Sequence, residues 1–578
     1  MSPHASRTRV ALSAVVTAGL CLAGTGALTT PSQAATGTCD TAYPVADLTA
    51  GQAVQGLTVT QGTTPGRFSG SIIGVLQDGI EPGVDMVMAR LSSPEIQDNG
   101  IWEGMSGSPV YDEASGELIG AVAYTLSWGE TQVAGITPWA DMQAYAGQAA
   151  PAKVTVSTSA AQAIARATSV TTEQASQGFT EVATPQLVSG LSQRLLDRAQ
   201  NRSHGVTWLT HGVSAAGRTA AGTITAGDMV AGGNLVATAS TGDILQAGLG
   251  TITSVCNDRV VGFGHPMNLA GRSTYGMAGA DTLYIQGDPL GASFKVANIG
   301  GLLGAVDQDR MTGISGPLGA LPPSLPITSH VTYTPEGGSA RSRTGSSEVQ
   351  VPDAAAGTTY YELAANHQAV LDALQPGSEE QSWTVDGHTA DGPFHFAGDN
   401  LYTSTYDVAD ASSWDLPDLL WLLTNIAGVT IDSVDVRSSV TDDTSMLKMT
   451  GLQQRRAGVW RAVNKKHPAQ VRAGHALTMR LVFAGGMTGK RFSVPVPKRA
   501  AGTTARMEAF PAASYPFEQS FPHQLSGVRK LVNTMQRNDQ AQVLFTFYGK
   551  RRATSSTSLT RAQGTVLDGH TAGKVRIF

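Results

Sequence analysis

The chain is poor in charge, in long apolar runs and in metal-ligand patterns, and each shortage removes a class of protein. Charged residues make up 15% of the sequence, and the net charge is -6 with mixed signs, so nothing indicates the strong basic excess of a nucleic-acid surface. Beyond the N-terminal segment, no stretch reaches the ~20 apolar residues that a membrane-spanning helix needs. Because ligand spacing and a phosphate-cradling glycine motif are both missing, we expect no metal and no cofactor.

The residues that are abundant favour β structure. Aromatic residues are few (6%), whereas glycine is common (66 residues), which favours short strands and tight turns over long helices. Apolar residues make up 41%, a globular composition rather than a disordered one. With 578 residues the chain is too long for one core, since domains run to ~100–200 residues. We therefore predict a mainly β, multidomain protein.

The N-terminus has the pattern of a secretory signal. A short positive start is followed by the apolar, small-residue stretch 10–28, and Ser32-Gln33-Ala34 offers small residues at a cleavage site. An uncleaved anchor is the alternative, but glycine and threonine interrupt the apolar run. Residues 1–34 are predicted to be a signal peptide, cleaved near Ala34, of a secreted or cell-envelope protein without a stable membrane span.

Two cysteines remain after this segment. An even pair in an oxidising compartment predicts one disulfide, between Cys39 and Cys256. Two unpaired, buried thiols are the alternative, because the sequence does not give the distance between the two Cα atoms.

Hydrophobic patterning divides the rest of the chain into six parts. Alternation between turns predicts β units, Ala- and Gln-rich composition with helical spacing predicts a linker, and evenly spaced strands predict an immunoglobulin-like sandwich. The predicted parts are a β unit at 40–148, a helical linker or insert at 149–221, a β unit at 222–335, a mixed α/β connecting region at 336–428, the sandwich at 429–512, and a small α+β unit with a helix and strands at 513–578.

The segment Gly104-Met105-Ser106-Gly107-Ser108-Pro109 is the strongest local signal. A nucleophilic serine needs a tight turn, converging backbone N–H groups and a base within reach. The glycines permit such a turn, and the N–H groups of Gly104 and Ser106 are the predicted oxyanion donors. A structural Gly–Ser turn is the alternative for this motif taken alone.

Three blocks together resemble the SpoIVB-type serine peptidases of bacteria, in the chymotrypsin-like clan. They are 85–91 leading into Gly104–Val110, Val260-Val261-Gly262-Phe263-Gly264-His265-Pro266, and Met311–Gly319. The resemblance covers about 45–145 and 245–330. It implies that Ser106 is the nucleophile and His265 the general base, and that the two β units are peptidase half-barrels, one bearing each residue. A structural histidine at a strand end is the alternative for His265.

Two departures from that family's pattern affect the site. Its histidine block precedes its serine block, whereas Ser106 precedes His265 here, so we predict a permuted chymotrypsin-like double β-barrel. Ser93-Pro94 stands where the family has its acidic residue. Asp85, Asp258 and Asp281 are the candidates for the acid, and a Ser–His dyad, with a carbonyl or hydroxyl orienting the ring, is the alternative.

The functional prediction is a serine endopeptidase that cleaves a protein or peptide substrate, including possible self-cleavage, which the family resemblance implies. The alternative is an inactive peptidase-like scaffold that acts as a secreted or surface interaction protein. One further feature is the basic cluster Arg455, Arg456, Arg461, Lys465 and Lys466. Its Gln, Gly and Pro surroundings favour a solvated loop over binding of an anionic cell-wall polymer or nucleic acid.

Overall fold

The protein is described by a computed structural model. It covers residues 39–126, 131–144, 153–154, 156–167, 171–176, 179–181, 186–190, 193–200, 213–215, 217–220, 222–288, 293–512, 522–548 and 553–578. The predicted signal peptide at 1–34 lies outside these residues. The chain is mainly β, as predicted.

The first β unit is a closed antiparallel barrel of six strands. Its strands are β1 (Ala53–Thr58), β2 (Gly66–Glu81), β3 (Val84–Ser92), β4 (Pro109–Asp112), β5 (Leu118–Leu126) and β6 (Val133–Pro138). The pairings run β1–β2–β3–β6–β5–β4 and return to β1, so the ring has no free edge. Helix α1 (Pro94–Asn99) follows β3, and α2 (Trp139–Ala144) follows β6. Apolar side chains, with Phe68 and Trp102 the largest, fill the interior.

A linker of short elements follows. Its elements are β7 (Lys153–Val154), α3 (Thr158–Ala167), α4 (Thr172–Ala175), β8 (Phe179–Glu181), β9 (Gln186–Ser189), α5 (Gln193–Gln200), β10 (Val213–Ala215) and β11 (Gly217–Arg218). Strand β8 pairs with β5, whereas β9 pairs with a strand of the second β unit, so the linker extends both sheets.

The second β unit repeats the order of the first. Its strands are β12 (Asn234–Gly242), β13 (Leu245–Cys256), β14 (Arg259–Gly262), β15 (Gly271–Gln286), β16 (Phe294–Arg310) and β17 (Gly313–Pro317). The antiparallel pairings run β12–β13–β14–β17–β16–β15 and return to β12. When the strands are numbered from one within each ring, the order of neighbours is 1-2-3-6-5-4 in both rings. The interior of the second ring contains Phe263, Tyr275 and Ile314.

The second sheet continues into the connecting region. The added strands are β18 (Leu325–Thr334), β19 (Arg341–Val349), β20 (Gly377–Thr389), β21 (Gly392–Ser404) and β22 (Thr430–Thr441). Strand β12 pairs with β19, and the order then runs β19–β18–β22–β20–β21. Helices α6 (Ala355–Leu371), α7 (Val408–Ser412) and α8 (Asp415–Thr424) pack on this extension. Helix α8 is buried, which agrees with its apolar residues on nearly all sides.

The C-terminal part is a pair of sheets around one apolar core. Its strands are β23 (Leu447–Arg456), β24 (Val459–Val463), β25 (Ala469–Val471), β26 (Ala476–Phe483), β27 (Phe492–Pro495), β28 (Thr504–Pro511), β29 (Ala541–Tyr548), β30 (Ala553–Leu559), β31 (Leu567–Asp568) and β32 (Thr571–Ile577). Helix α9 (Leu525–Asn533) comes between β28 and β29 in the chain. One sheet is β24–β23–β26–β27, with β31 beside β23, and the other is β25–β32–β28–β29–β30.

The core of this C-terminal pair contains strands from both of the predicted segments 429–512 and 513–578. The shared core draws strand side chains from both sides of residue 512, whereas Val528 of α9 packs in the core that contains α8. Strand β22, expected to begin the sandwich, instead lies between β18 and β20 in the preceding sheet. Alternation of apolar and polar residues identifies strands, but it does not identify the sheet that each strand joins.

One covalent crosslink ties the segment before the first barrel to the second barrel. Cys39 and Cys256 form a disulfide with their Cα atoms 4.6 Å apart, the pairing expected from the sequence. In the described part of the chain, no helix has the length and apolarity to cross a membrane.

Candidate active site

Ser106 lies on a tight turn just before β4. Ser108 donates its backbone N–H to the Met105 carbonyl (3.0 Å), and Met105 donates to Trp102 (3.1 Å). Gly104 and Gly107 have φ of 92° and 95°, a region that favours glycine. At Gly107 space is also limiting, since a Cβ there would lie 1.9 Å from the Thr251 carbonyl oxygen. The glycines of the motif are therefore required by the turn.

The second barrel holds the carbonyls of this turn. On β13, the Thr251 N–H donates to the Ser106 carbonyl (2.8 Å), and the Thr251 hydroxyl donates to the Gly104 carbonyl (2.9 Å). The Thr253 hydroxyl donates to the Gly107 carbonyl (2.8 Å). The turn is thus fixed from outside its own barrel, a role for β13 that no local motif signals.

The two predicted oxyanion donors lie on peptide planes of fixed orientation. In a trans peptide, the C=O of one residue points opposite to the N–H of the next. The Glu103 carbonyl accepts from the Lys295 N–H (3.1 Å), which orients the Gly104 N–H, and the Met105 carbonyl accepts from Ser108, which orients the Ser106 N–H. Within the described residues, neither of these two N–H groups donates to a protein oxygen.

His265 follows β14, in the loop that corresponds to the serine loop of the first barrel. Each loop joins the third and fourth strands of its ring. Phe263 and Gly264 both have positive φ (69° and 72°), which turns the chain toward the first barrel. There the Thr137 hydroxyl of β6 donates to the Gly264 carbonyl (2.6 Å), and a Cβ on Gly264 would lie 3.0 Å from the Cβ atoms of Ala121 and Ala123.

The serine turn and the histidine segment meet at their backbones. A Cβ on Gly107 would lie 2.5 Å from the Phe263 nitrogen, and the Phe263 N–H donates to the Thr251 carbonyl (3.3 Å). Ser106 and His265 therefore belong to one interface between the two barrels, although they are 159 positions apart in sequence.

The hydrogen bond of the imidazole fixes its tautomer. Nδ1 of His265 lies 2.7 Å from the Pro266 carbonyl oxygen. A carbonyl can only accept, so Nδ1 carries the proton and the lone pair is on Nε2. This is the form that a general base requires.

Both reactive atoms are enclosed. Ser106 is 0% exposed and His265 is 1% exposed. Among the described residues, neither Ser106 Oγ nor His265 Nε2 has a hydrogen-bond partner, so the two atoms do not bond to each other in this conformation. A buried hydroxyl donor and a buried imidazole acceptor, both unsatisfied, are each costly to leave unpaired.

In the part of the chain that the structure describes, none of the three aspartates proposed as the acid bonds to His265. Asp85, at the tip of the β2–β3 hairpin, accepts from the Asp78 N–H (2.9 Å). Asp258 lies in the β13–β14 turn, where its Oδ1 is buried without a hydrogen-bond partner in the described part of the chain, and Asp281 lies on β15 opposite Asn298. The position beside Nδ1 is taken by the Pro266 carbonyl.

Asp309, at the end of β16, organises the loop after His265 and was not anticipated. Its carboxylate accepts from the N–H groups of Met267 (2.8 Å), Asn268 (2.9 Å) and Ala270 (3.1 Å). It also accepts from the Tyr275 hydroxyl (3.3 Å). Asp309 lies two residues before the block Met311–Gly319, but it has no local motif that marks a loop-binding carboxylate.

Two ionisable groups with displaced pKa values flank the serine turn. Burial, with the nearby Asp288 charge, raises the pKa of Glu103 to about 7. Burial lowers the pKa of Lys295 to about 7, and its ammonium donates to Asn234 Oδ1 (2.9 Å). No group of three or more metal-ligating side chains is found among the described residues.

Comparison with protein-family models, with curated proteins and with solved structures finds no match to this chain.

Proposed function

We propose that the protein is an exported serine endopeptidase of the SpoIVB type, built on a permuted chymotrypsin-like double barrel. The observation that supports it most is the pairing of loops. Two six-stranded rings of identical order present Ser106 and His265 from corresponding loops, and these loops contact each other.

In the proposed mechanism, Ser106 Oγ attacks the carbonyl carbon of a peptide bond, and Nε2 of His265 takes the hydroxyl proton. The N–H groups of Gly104 and Ser106 stabilise the oxyanion. The tetrahedral intermediate then expels the amine, which receives the proton from His265, and leaves an acyl-enzyme on Ser106. Water, deprotonated by the same Nε2, releases the acid. The Pro266 carbonyl orients the ring, and Asp309 positions the loop rather than the ring.

Export is supported by the disulfide. Disulfides persist in oxidising compartments, and Cys39–Cys256 joins the start of the described chain to a barrel strand. The substrate is a protein or peptide, and self-processing is part of the proposal. A uniform mature mass for both wild type and Ser106→Ala would count against self-processing.

An inactive scaffold is the second candidate, and the burial of the site favours it. With Ser106 and His265 enclosed and unbonded, this conformation admits no substrate. An active enzyme therefore requires an opening that exposes Ser106 and brings Oγ within hydrogen-bond distance of Nε2.

The deciding experiment is labelling of the purified protein with a fluorophosphonate, followed by mass-spectrometric mapping. We expect label on Ser106 of wild type and none on Ser106→Ala or His265→Ala. Ser108→Ala is the matched control, because Ser108 is also buried with an unpaired Oγ in the same turn. It should keep the label. A folded wild type that stays unlabelled would support the scaffold.

A further inference from the structure

Charge is distributed very unevenly along the chain. Residues 447–578 contain 22 Lys and Arg against 4 Asp and Glu, whereas residues 1–446 contain 17 against 41. The net charge of the whole chain, -6, is the sum of +18 on residues 447–578 and -24 on residues 1–446. Such asymmetry between parts of a chain indicates an interaction with a polyanion.

The sandwich aligns part of this charge on one solvent-facing surface. Along β32 the burial alternates, so Lys574 and Arg576 face outward while their neighbours enter the core. In register, Arg506 of β28 lies beside Lys574, and Gln470 of β25 lies beside Arg576. Neighbouring strands are ~4.8 Å apart, so these cations form a compact field.

Two adjoining grooves border this surface. One, of about 440 Å³, is lined by Lys465, Arg506 and Lys574, and the other, of about 540 Å³, by Arg456, Arg461 and His467. Lys466, Pro468 and Arg576 line both grooves, which makes them continuous, and none of the described lining residues carries a carboxylate. We call this surface the basic groove.

Most of these cations lack a carboxylate partner. Arg506 donates to Glu508 (2.7 Å), and Arg456 donates to the amide oxygen of Gln470 (2.7 Å). For the other five Lys and Arg of the groove, the described part of the chain provides no ion pair. The field of the groove is therefore uncompensated and attracts anions.

The basic cluster predicted to be a solvated loop is thus only partly a loop. Arg456 and Arg461 lie on β23 and β24, and Lys465 and Lys466 lie between β24 and β25. The sequence places them near each other, but only the fold brings Arg506, Lys574 and Arg576 to the same groove.

We propose that the basic groove binds a linear phosphate polymer that carries no stacked bases. Phosphate groups offer acceptor oxygens in several directions, which suits cations on both the strand wall and the loop wall, and Arg forks bind them bidentately. Single-stranded nucleic acid needs a row of aromatic platforms, whereas the described residues provide one aromatic ring in each groove, Tyr548 and His467. The proposal is independent of peptidase activity.

The test measures binding of the full mature chain to short-chain inorganic polyphosphate at several salt concentrations. The groove variant combines Lys465→Ala, Lys466→Ala, Lys574→Ala and Arg576→Ala. The matched control removes four exposed cations that do not line the groove, Lys448, Lys490, Arg499 and Lys530, and so has the same net charge. Thermal unfolding of both variants verifies that each is folded.

We expect the groove variant to lose on the order of 100-fold in affinity and to reduce the slope of log K against log salt by about 3, at ~0.7 per lost phosphate contact. The control should stay within a few-fold of wild type. Equal weakening of both variants would overturn the proposal, as would a folded wild type that does not bind. Tighter binding of a DNA duplex or of polyglutamate, at matched charge, would reject the phosphate polymer in favour of those ligands.

Discussion

Gly107 is the residue at which backbone strain and close packing coincide. An alanine there would require a positive φ and a Cβ 1.9 Å from the Thr251 carbonyl oxygen. We expect Gly107→Ala to cost at least about 3 kcal/mol, because the second barrel must move away from the serine turn. Urea unfolding measures the loss.

Gly116 provides the matched control for this substitution. It also has a positive φ (75°), but a Cβ there would meet nothing within 4 Å. Gly116→Ala should cost about 1 kcal/mol, from the backbone alone. Equal costs at the two sites would show that the contact between the barrels is absent in solution.

Glu103 makes stability depend on pH beside the serine turn. Its pKa is raised from 4.5 to about 7 in the folded state, so between these values the folded protein binds a proton that the unfolded chain has lost. Stability therefore falls as the pH rises through this window. Glu103→Gln removes the free-energy cost of holding an ionised carboxylate at this buried position.

The measurement is the melting temperature of Glu103→Gln against pH. The variant should match wild type near pH 4 and exceed it at pH 7.5, whereas Glu113→Gln, at an exposed site, should follow wild type throughout. A constant offset between Glu103→Gln and wild type across this range would contradict the assignment.

At the scale of elements, a fully buried ion pair joins α6 to β20. His367 donates from Nε2 to Glu379 (3.0 Å) and from Nδ1 to the Leu363 carbonyl (2.7 Å), so both ring nitrogens carry protons. Burial alone would lower the pKa of His367, but the Glu379 charge raises it. Burial likewise opposes ionisation of Glu379, and the His367 charge lowers its pKa.

Because of these two pKa shifts, the pair contributes to the stability of the folded state mainly in the pH range around neutrality. The His367 part is complete below its unfolded pKa and is lost as the pH rises through its raised folded pKa. The Glu379 part is present above its unfolded pKa and is lost as the pH falls through its lowered folded pKa.

Removing one partner leaves the other charge buried. We expect His367→Leu to lose about 3–5 kcal/mol in denaturant unfolding at pH 6.5. His388, 52% exposed and 2.9 Å from Asp432, gives the control, since His388→Leu should lose less than about 1 kcal/mol. Similar losses for the two would mean that the α6–β20 pair is hydrated.

At the scale of the whole molecule, the disulfide closes a span of 217 residues. In the chain-entropy description, a disulfide that closes so long a loop lowers the entropy of the unfolded chain and raises the free energy of unfolding by about 5 kcal/mol. The double substitution Cys39→Ala, Cys256→Ala should lower the melting temperature, and reductant should bring wild type to the same value. A variant that still responds to reductant would indicate a different crosslink.

The local chemistry of the site could be read from short sequence patterns. Glycines around Ser106 indicated a tight turn, and the structure gives Gly104 and Gly107 the positive φ that such a turn uses. Alternation of apolar and polar residues indicated a mainly β chain, and the two cysteines beyond the predicted signal peptide indicated one disulfide. In each case the physical requirement lies within a few residues or has one possible partner.

Long-range contacts could not be read in this way. Thr251 bonds to the serine turn, and Asp309 bonds to the loop after His265. Lys574 and Lys466 line the same groove. In each case the residues lie over 35 positions apart in the sequence. A threonine or aspartate in a strand has no local mark of its distant partner, and composition averaged over 578 residues concealed the basic charge of residues 447–578. The sequence by itself determined which segments form turns and strands. Only the tertiary structure decided which turns face each other, because pairing between distant strands depends on the packing of the whole sheet.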